Sequence, residues 1–571
     1  MDFPAKNNNL RATMGGVSRW GTRRGTLTAP LMAMVGVLVC SPSVLYPPGR
    51  DQSVFLLAGQ ALSGGAIPYR DFWDIKPPGL FLAYLLPGSL ASAWPGAAAL
   101  VDLAALAVAI LACHRLLAGW GSAVAGPAAA IFLTGLWAFA GDWWDLGQGE
   151  RLAVPLLILA LLAAGRASTR RWLLAGTCIG VMTLLKTSFL PLALVLLPLL
   201  PRRADNEDRN PAPAGRLLGA AVVGTLAPLI LVALALAIVG ALDAAREATV
   251  SFTGHYTRLA WQRPEVVLRT AWVTTWAFLQ TTWPLVGLAA VATAMALLRP
   301  GSLMGMAQRN GNGHVRPDAG LTALQRGVTS LLVALLLAAA AVLAQGKFFP
   351  YHWIALWPAL ALLAALGAGG LAQLATRGWG SPPAATTAAA TMLALLALII
   401  GLTGSAPGWP GWSASLARGT GRLQPDAHLA TFRVQGMGYE ELVRTARQVA
   451  TVAPADEPIL LWGFEPAFYL YAQRSFPGRF PFAYPLITPW APGRWQDEFL
   501  AAFDASPPSV IVVRRRDPIP WVAGVGGDAA RRLQLFPRLV QRLERDYQAR
   551  PQISSPHLEV WQRVAAPAAR R

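Results

Sequence analysis

Long apolar stretches separated by short polar segments fill the first 405 residues of the chain. A membrane-spanning helix needs about 20 mostly apolar residues. The candidate spans cover residues 28–46, 95–113, 122–140, 152–167, 172–185, 188–200, 217–240, 270–297, 328–344, 352–372 and 384–405. The fifth and sixth of these eleven are short and adjacent, so they count as one span or as two. The pattern predicts a polytopic α-helical membrane protein.

The pattern changes after residue 405. GYEELVRTARQVATVA has the spacing of an amphipathic helix, and PILLWGF, PSVIVVRRR and LEVWQRV are short apolar runs typical of strands. We therefore expect three parts: a basic N-terminal segment over residues 1–27, a transmembrane core over 28–405 and a small α/β domain over 406–571. The first loop outside the cytoplasm would cover residues 47–94.

The composition agrees with a membrane protein. Only 13% of the 571 residues are charged, about half the share found in soluble domains, which argues against a disordered chain and an ordinary soluble enzyme. The net charge is nevertheless +19, which would suggest nucleic acid as a partner. If the N-terminus is cytoplasmic and the spans alternate, most of the excess Lys and Arg falls on the cytoplasmic side, as the positive-inside rule requires. We therefore expect the lipid bilayer as partner and no nucleic acid.

Cysteine chemistry contributes little to the function. Cys40, Cys113 and Cys178 lie in apolar stretches without a CxxC pair or a nearby acidic cluster. Neither a disulfide framework nor a zinc site is predicted. No metal site has convincing ligand spacing, although paired acids in the first outer loop could hold a divalent cation.

The first outer loop concentrates charged residues among aromatic rings. Its helix-forming part runs from Asp51 to Leu62, Gly64–Gly65 ends it, and Pro77–Pro78 redirects the chain. The other charged residues of interest are Arg70, Asp71, Asp74 and Lys76, which accompany Tyr69, Phe72 and Trp73. Such a cluster suits a site for a charged amphiphile, but an ordinary interfacial loop has the same composition.

This loop carries a long motif that resembles a known family. PPGRDQSVFLLAGQALSGGAIPYRDFWDIKPPG is similar to the first extracytoplasmic loop of GT-C superfamily glycosyltransferases, in the glycosyltransferase family 39-like bacterial branch related to protein O-mannosyltransferases and aminoarabinose transferases. Weaker similarities follow in GQGERLAVPLLILAL, GVMTLLKTSFLPL, QGKFFPYHWIALWPALALLAA and ILLWGFEPAFYLYAQRSFPGRF. The resemblance spans nearly the whole chain and is loosest between about residues 200 and 330.

The resemblance implies a GT-C fold and a transfer reaction. Such enzymes take a sugar from a polyprenyl phosphate carrier and pass it to an acceptor outside the cytoplasm, with inversion. The family's loop-one acid matches Asp51, whose implied role is general base toward the acceptor hydroxyl. Because the leaving group is a lipid phosphate, it needs a cation, and Lys76 is the nearest candidate, supported by Arg70 and Tyr69. The implied location is the bacterial inner membrane, with the C-terminal domain in the periplasm.

Other ionisable residues at the ends of spans fall on the same predicted face as this loop. They are Glu150, Lys186, His255, Lys347 and His352, accompanied by Tyr256 and Tyr351. Ionisable groups at membrane depth are costly and usually face a cavity or a partner, so we expect one shared site in which Lys186 and Lys347 also bind phosphate. Each has a structural alternative. Glu150 could pair with Arg151 or cap the following helix, Lys186 could extend to the interface, and Lys347 precedes an aromatic belt.

Two other functions fit the sequence. A transporter or flippase of lipid-linked sugars would also have many spans and a charged cavity, although alternating access places its site near the membrane midplane. A catalytically inactive scaffold would explain the intact motif less well. The sequence names neither the sugar nor the acceptor, and lipid A, a polysaccharide, a glycolipid or a protein hydroxyl all remain open.

Overall fold

The structure is a computed structural model that describes residues 14–201, 212–298, 317–377 and 382–564. Within these ranges, eight helices are long and apolar enough to cross a membrane. They are Leu27–Leu45, Pro95–Gly119, Ala123–Ala140, Ala214–Ile238, Pro264–Leu298, Ala323–Gln345, Pro350–Thr376 and Pro383–Gly404. The chain is therefore a multi-pass membrane protein, as the hydropathy pattern predicted.

The predicted number of eleven spans is not confirmed. The fourth and fifth candidates correspond to the shorter helices Gly149–Ala164 and Thr169–Leu185. The sixth corresponds to a 3₁₀ helix, Thr187–Leu199, which contains Pro191 and Pro198. Proline lacks the N–H that an α-helix interior requires, so this apolar segment does not continue as a regular α-helix.

The remaining helices connect the spans or build the C-terminal region. The α-helices outside the eight spans are Arg50–Ser63, Pro78–Ala83, Leu85–Leu90, Gly149–Ala164, Thr169–Leu185, Leu242–Arg246, Thr253–Trp261, Trp409–Gly419, Pro425–Thr431, Tyr439–Val452, Ala467–Ala472, Gly493–Ala505, Pro520–Ala523, Ala529–Leu533 and Pro537–Asp546. Residues 1–13 of the predicted basic segment lie outside the described residues, and residues 14–27 belong to the helix Met14–Cys40.

The centre of the membrane region is the helix Trp357–Arg377. Residues 361–366 are all fully buried, and a helix that is apolar on every side is typical of such a central position. A second close contact joins the helices Thr169–Leu185 and Ala214–Ile238. A Cβ added at Gly176 would lie 2.0 Å from the carbonyl oxygen of Ala221, and one at Gly224 would lie 2.1 Å from that of Leu173. Glycine at these positions lets the two backbones touch.

The C-terminal region contains the small sheet that the sequence predicted. Its strands are β1 (Arg433–Val434), β2 (Met437–Gly438), β3 (Ile459–Trp462), β4 (Val510–Arg514), β5 (Tyr547–Ala549) and β6 (Leu558–Arg563). β1 and β2 form a hairpin, and the others form a sheet of order β3-β4-β6-β5 in which only the β3–β4 pair is parallel.

Three strands and one helix of this region were predicted from the chain pattern. β3 and β4 are buried along their whole length, as expected for short continuous apolar runs. The helix Tyr439–Val452 buries Leu442, Ala446 and Val449 on one face, which is the predicted amphipathic spacing. The hairpin and β5 were not predicted, because strands of two or three residues carry too little pattern.

Candidate active site

The first outer loop places two oppositely charged side chains together. The helix Arg50–Ser63 follows Pro48–Gly49 and carries Asp51 in its first turn. The loop then returns, and the Tyr69 hydroxyl donates a 2.7 Å hydrogen bond to the carbonyl oxygen of Lys76. As a result, Lys76 Nζ lies 3.4 Å from Asp51 Oδ2.

A second chain segment completes the surroundings of Asp51. Gln148 Nε2 donates to the same Oδ2 atom at 3.1 Å. The side chain of Asp51 remains 21% exposed, so the carboxylate is positioned by two donors and is still accessible. Burial lowers the pKa of Lys76, but the neighbouring carboxylates of Asp51, Asp74 and Glu150 outweigh this effect and raise it above its usual value.

A second lysine lies near the first. Lys186 follows the helix Thr169–Leu185 and forms an ion pair with Glu150, at the start of the helix Gly149–Ala164. The Tyr351 ring is close to both cations, with Lys76 Nζ 5.5 Å and Lys186 Nζ 5.6 Å from its centroid. Cations at this distance are attracted to the ring. Tyr351 therefore helps to hold two ammonium groups at one place despite their repulsion.

These groups open into one cavity of about 870 Å³. Its polar end contains Asp51, Asp74, Lys76, Gln148 and Lys186. One apolar wall comes from the span Ala323–Gln345, through Leu337, Ala340, Ala341 and Ala344. The C-terminal region contributes Gln435, Phe464, Phe482, Tyr484, Ile519, Trp521 and Val522. The cavity thus joins a charged end, an apolar wall on a membrane span and a wall from outside the transmembrane core.

Other predicted site residues line the same cavity. Lys347 donates a 2.6 Å hydrogen bond to the carbonyl oxygen of Trp521 and lies 4.0 Å from the ring centroid of Tyr256. Burial lowers the pKa of Lys347 to about 8. His352 is buried at the cavity wall. Asp74 is also buried, and burial raises its pKa to about 7.

Five predicted residues do not line the cavity. Arg70 and Asp71 form an exposed ion pair with each other, and Asp71 accepts a hydrogen bond from the backbone of Ile67. Tyr69 is fully buried and supports Lys76 through its backbone contact. His255 is exposed and lies away from the cavity lining. Glu150 lies behind Lys186, and it pairs with that lysine rather than with Arg151.

Arg151 has a different partner, Asp102, inside the membrane region. The Asp102 carboxylate accepts hydrogen bonds from Arg151 Nη1 at 3.0 Å, Trp137 Nε1 at 2.6 Å and the backbone N–H of Gly147 at 2.7 Å. Because Asp102 lies inside the second predicted span, residues 95–113, the sequence favours a helix–helix hydrogen bond over a catalytic role for it. The contact with Gly147 means that this buried network also fixes the segment that presents Gln148 to Asp51.

Several cavity residues were missed by the sequence analysis. Arg50 is next to Asp51 in the chain, and Gln148 lies in the noted GQGE segment, so both were available as local signals. The lining residues of the C-terminal region had no such signal. From the sequence, the Arg514–Arg516 run would be a solvated strand end, with binding of an anionic acceptor as the alternative, but Arg514 is fully buried against Glu465.

The acidic groups of the cavity do not fit a resident metal ion. Among the described residues, no group of three or more His, Cys, Asp or Glu side chains could hold one. The carboxylate of Asp51 is already engaged by the Lys76 ammonium group. The positive charge of the Lys76 ammonium group opposes the binding of a metal cation to the same Asp51 carboxylate.

Comparison with solved structures identifies the architecture. The structure of ArnT from Cupriavidus metallidurans bound to undecaprenyl phosphate is similar over 94% of this chain and 98% of that chain, with 14% sequence identity and a TM-score of 0.50. This chain has a GT-C fold. At 14% identity, the likeness concerns the fold alone.

Two further structures match this GT-C chain with lower scores. ArnT from the same organism in the apo state covers 97% of this chain and 100% of that chain, at 15% identity and a TM-score of 0.46. The Archaeoglobus fulgidus oligosaccharyltransferase in complex with Zn and sulfate covers 85% and 68%, at 14% identity and a TM-score of 0.42. No protein family model matches this chain, and no curated protein matches it significantly.

Proposed function

We propose that this chain is a membrane glycosyltransferase that moves a monosaccharide from a polyprenyl phosphate carrier to an acceptor on the extracytoplasmic side. The observation that carries the proposal is the cavity in which Asp51 lies beside Lys76, with Lys186 nearby and an apolar wall on a membrane span. A lipid phosphate has the same two parts, an anion and an apolar tail. The ArnT structure with this fold contains undecaprenyl phosphate, which supports the same class of donor here.

Lys76 and Lys186 are proposed to bind the donor phosphate. Both ammonium groups lie within 6 Å of the Tyr351 ring centroid and both line the cavity, which supports a phosphate bound by the two together. Lys347 adds a third cation at the same cavity. Charge-assisted hydrogen bonds are strong in a site of low dielectric. The lipid tail would follow the apolar wall formed by Leu337 and Ala341 toward the bilayer.

Asp51 is proposed as the general base. The acceptor hydroxyl would give its proton to the Asp51 carboxylate while its oxygen forms a bond to the anomeric carbon. The bond from that carbon to the phosphate oxygen breaks, and both electrons leave with the polyprenyl phosphate. The lysines stabilise the charge that develops on the leaving phosphate. A single displacement of this kind inverts the anomeric configuration.

The remaining polar residues of the cavity would recognise the sugar. Asp74, Tyr256 and His352 line the cavity near the proposed phosphate position and offer hydrogen-bonding groups for sugar hydroxyls. A hexose or a pentose would fit this set, and the acceptor is a lipid, a glycan or a protein hydroxyl. Gln148 would act on Asp51, since its amide orients the carboxylate.

The proposed orientation follows the charge distribution. A cytoplasmic N-terminus places the Lys- and Arg-rich loops in the cytoplasm, and residues 406–571 then form an extracytoplasmic domain that covers the cavity. In a bacterium the membrane would be the inner membrane. Labelling of single cysteines with a membrane-impermeant maleimide tests this orientation: a cysteine at exposed Arg494 should react in intact spheroplasts.

The decisive experiment separates transfer from transport. Purified protein in detergent is supplied with a radiolabelled polyprenyl-phosphate sugar and a membrane extract as the source of acceptor. A glycosyltransferase releases free polyprenyl phosphate and labels an acceptor, while a flippase leaves the donor intact. Because a flippase moves the lipid-linked sugar without cleaving it, release of polyprenyl phosphate in detergent contradicts the transporter alternative. An intact donor after incubation with every acceptor fraction would contradict the proposed function.

A further inference from the structure

Side chains of the C-terminal region bind Arg50, the first residue of the helix that carries Asp51. Arg50 Nε and Nη2 donate to Glu465 Oε1 at 3.2 and 2.6 Å, and Nη2 also donates to Gln435 Oε1 at 2.9 Å. The Arg50 side chain is 15% exposed and lines the cavity. Its guanidinium group is therefore turned toward the C-terminal region by partners more than 380 residues away in the chain.

A second arginine shares the same carboxylate. Arg514 Nε lies 3.3 Å from Glu465 Oε1, and its Nη2 donates to the carbonyl oxygen of Val434 at 3.1 Å. Arg514 is fully buried, and Glu465 is 2% exposed. The two arginines and one glutamate carry a net charge of +1. Removal of the glutamate charge would leave two unneutralised cations, one of which, Arg50, lines the cavity, and low dielectric makes each charge more effective.

We infer that Glu465 is a positioning residue that keeps the Arg50 guanidinium group away from the Asp51 carboxylate. Asp51 follows Arg50 directly and lines the same cavity. Without Glu465, the Arg50 guanidinium group would be free to turn into the cavity that Arg50 and Asp51 both line. Arg514 would stay in place, because backbone carbonyls of Val434 and His557 also hold it. An Arg50–Asp51 pair would add a third donor, beside Lys76 and Gln148, to the carboxylate that must accept a proton.

This inference rests on the proposed function and gives the C-terminal region a part in catalysis. The test uses Glu465→Gln and the double variant Arg50→Gln/Glu465→Gln. Glu465→Gln raises the charge of the three-residue group from +1 to +2, and the double variant returns it to +1. We expect Glu465→Gln to lower kcat at least tenfold with less than a threefold change in acceptor KM, and the double variant to recover most of kcat.

A matched control comes from the same region. Asp517 is buried and pairs with Arg532 at 3.1 Å, and neither side chain lines the cavity. Asp517→Asn also leaves an arginine without its counter-charge, so it should lower the melting temperature without lowering kcat. If Glu465→Gln keeps the kcat of the wild type, or if the double variant is as slow as Glu465→Gln, the positioning role is wrong.

A measurement that needs no activity tests the same inference. Phenylglyoxal modifies accessible arginines, and peptide mapping by mass spectrometry reports the extent at Arg50. Because Glu465 and Gln435 hold it in the wild type, labelling of Arg50 should rise severalfold in Glu465→Gln and stay unchanged in Asp517→Asn. Equal labelling in all three proteins overturns the inference. Absence of transfer by the wild type would instead contradict the proposed function, so the two failures are distinguishable.

Discussion

Substitution of Lys186 can distinguish a role in donor phosphate binding from a role in stability. The perturbation is Lys186→Met, which removes the ammonium group and keeps an unbranched apolar side chain of similar length. Its partner Glu150 is 3% exposed. Removing one member of a buried ion pair leaves an uncompensated charge and costs about 3–5 kcal/mol. The single variant should therefore lose stability as well as donor binding.

The double variant Lys186→Met/Glu150→Gln removes this complication. Replacing both charges by neutral groups of similar size leaves no buried charge, and such replacements are often close to neutral in stability. A hydrogen bond to a charged group contributes about 1.5–3 kcal/mol. At about 1.4 kcal/mol per tenfold change in affinity, the donor KM of the double variant should rise roughly tenfold to a hundredfold.

The assay measures initial rates of polyprenyl phosphate release at varied donor and fixed acceptor concentrations, and thermal unfolding in the same detergent. We expect the melting temperature of the double variant to lie near that of the wild type while donor KM stays high. Glu150→Gln alone is the matched control, and it should keep donor KM within a few-fold of the wild type. A double variant with wild-type donor KM would refute the phosphate role and make Lys186 a structural cation.

Three further predictions follow from the same geometry. Lys76→Ala should raise donor KM more than acceptor KM, and equal changes in the two titrations would contradict its assignment to phosphate. Asp102→Asn leaves buried Arg151 without a counter-charge, so it should cost about 3–5 kcal/mol and lower the melting temperature; an unchanged value would contradict the network. Burial raises the pKa of Asp145 to about 7, so folded protein keeps a proton that the unfolded chain loses near pH 4. The contribution of this protonated carboxyl group to the free energy of unfolding is therefore lost as pH rises from about 4 to about 7. Asp145→Asn should flatten the pH dependence of the melting temperature over that range.

The parts of the site that could be predicted from sequence are local. Asp51, the helix that carries it and the turn before Lys76 lie within one loop, and its motif and breaker residues mark them. The apolar spans could be predicted because the hydropathy of each segment is sufficient to identify it as a candidate. The count of eleven is not confirmed, and at residues 188–200 hydropathy alone could not show that Pro191 and Pro198 make the segment a 3₁₀ helix.

The parts that could not be predicted depend on contacts between distant segments. Arg70 and Lys76 are six residues apart and similarly charged, yet only Lys76 faces the cavity, because the turn at Tyr69 directs Arg70 outward to Asp71. Arg514 looked like a solvated strand end, and Glu465 makes it a buried group. No periodicity in the chain encodes such pairs. They follow from how the C-terminal region packs on the first outer loop.

The central claim is that Asp51 takes the acceptor proton in a sugar transfer. The most direct measurement is single-turnover release of polyprenyl phosphate by Asp51→Asn, with Asp71→Asn as a control from the same loop, since Asp71 pairs with Arg70 outside the cavity. A general base contributes about a hundredfold to ten-thousandfold to a rate. We expect the single-turnover rate of Asp51→Asn to fall by that factor in folded protein that still binds the donor, and the rate of Asp71→Asn to stay unchanged. Transfer by Asp51→Asn at the wild-type rate would contradict it.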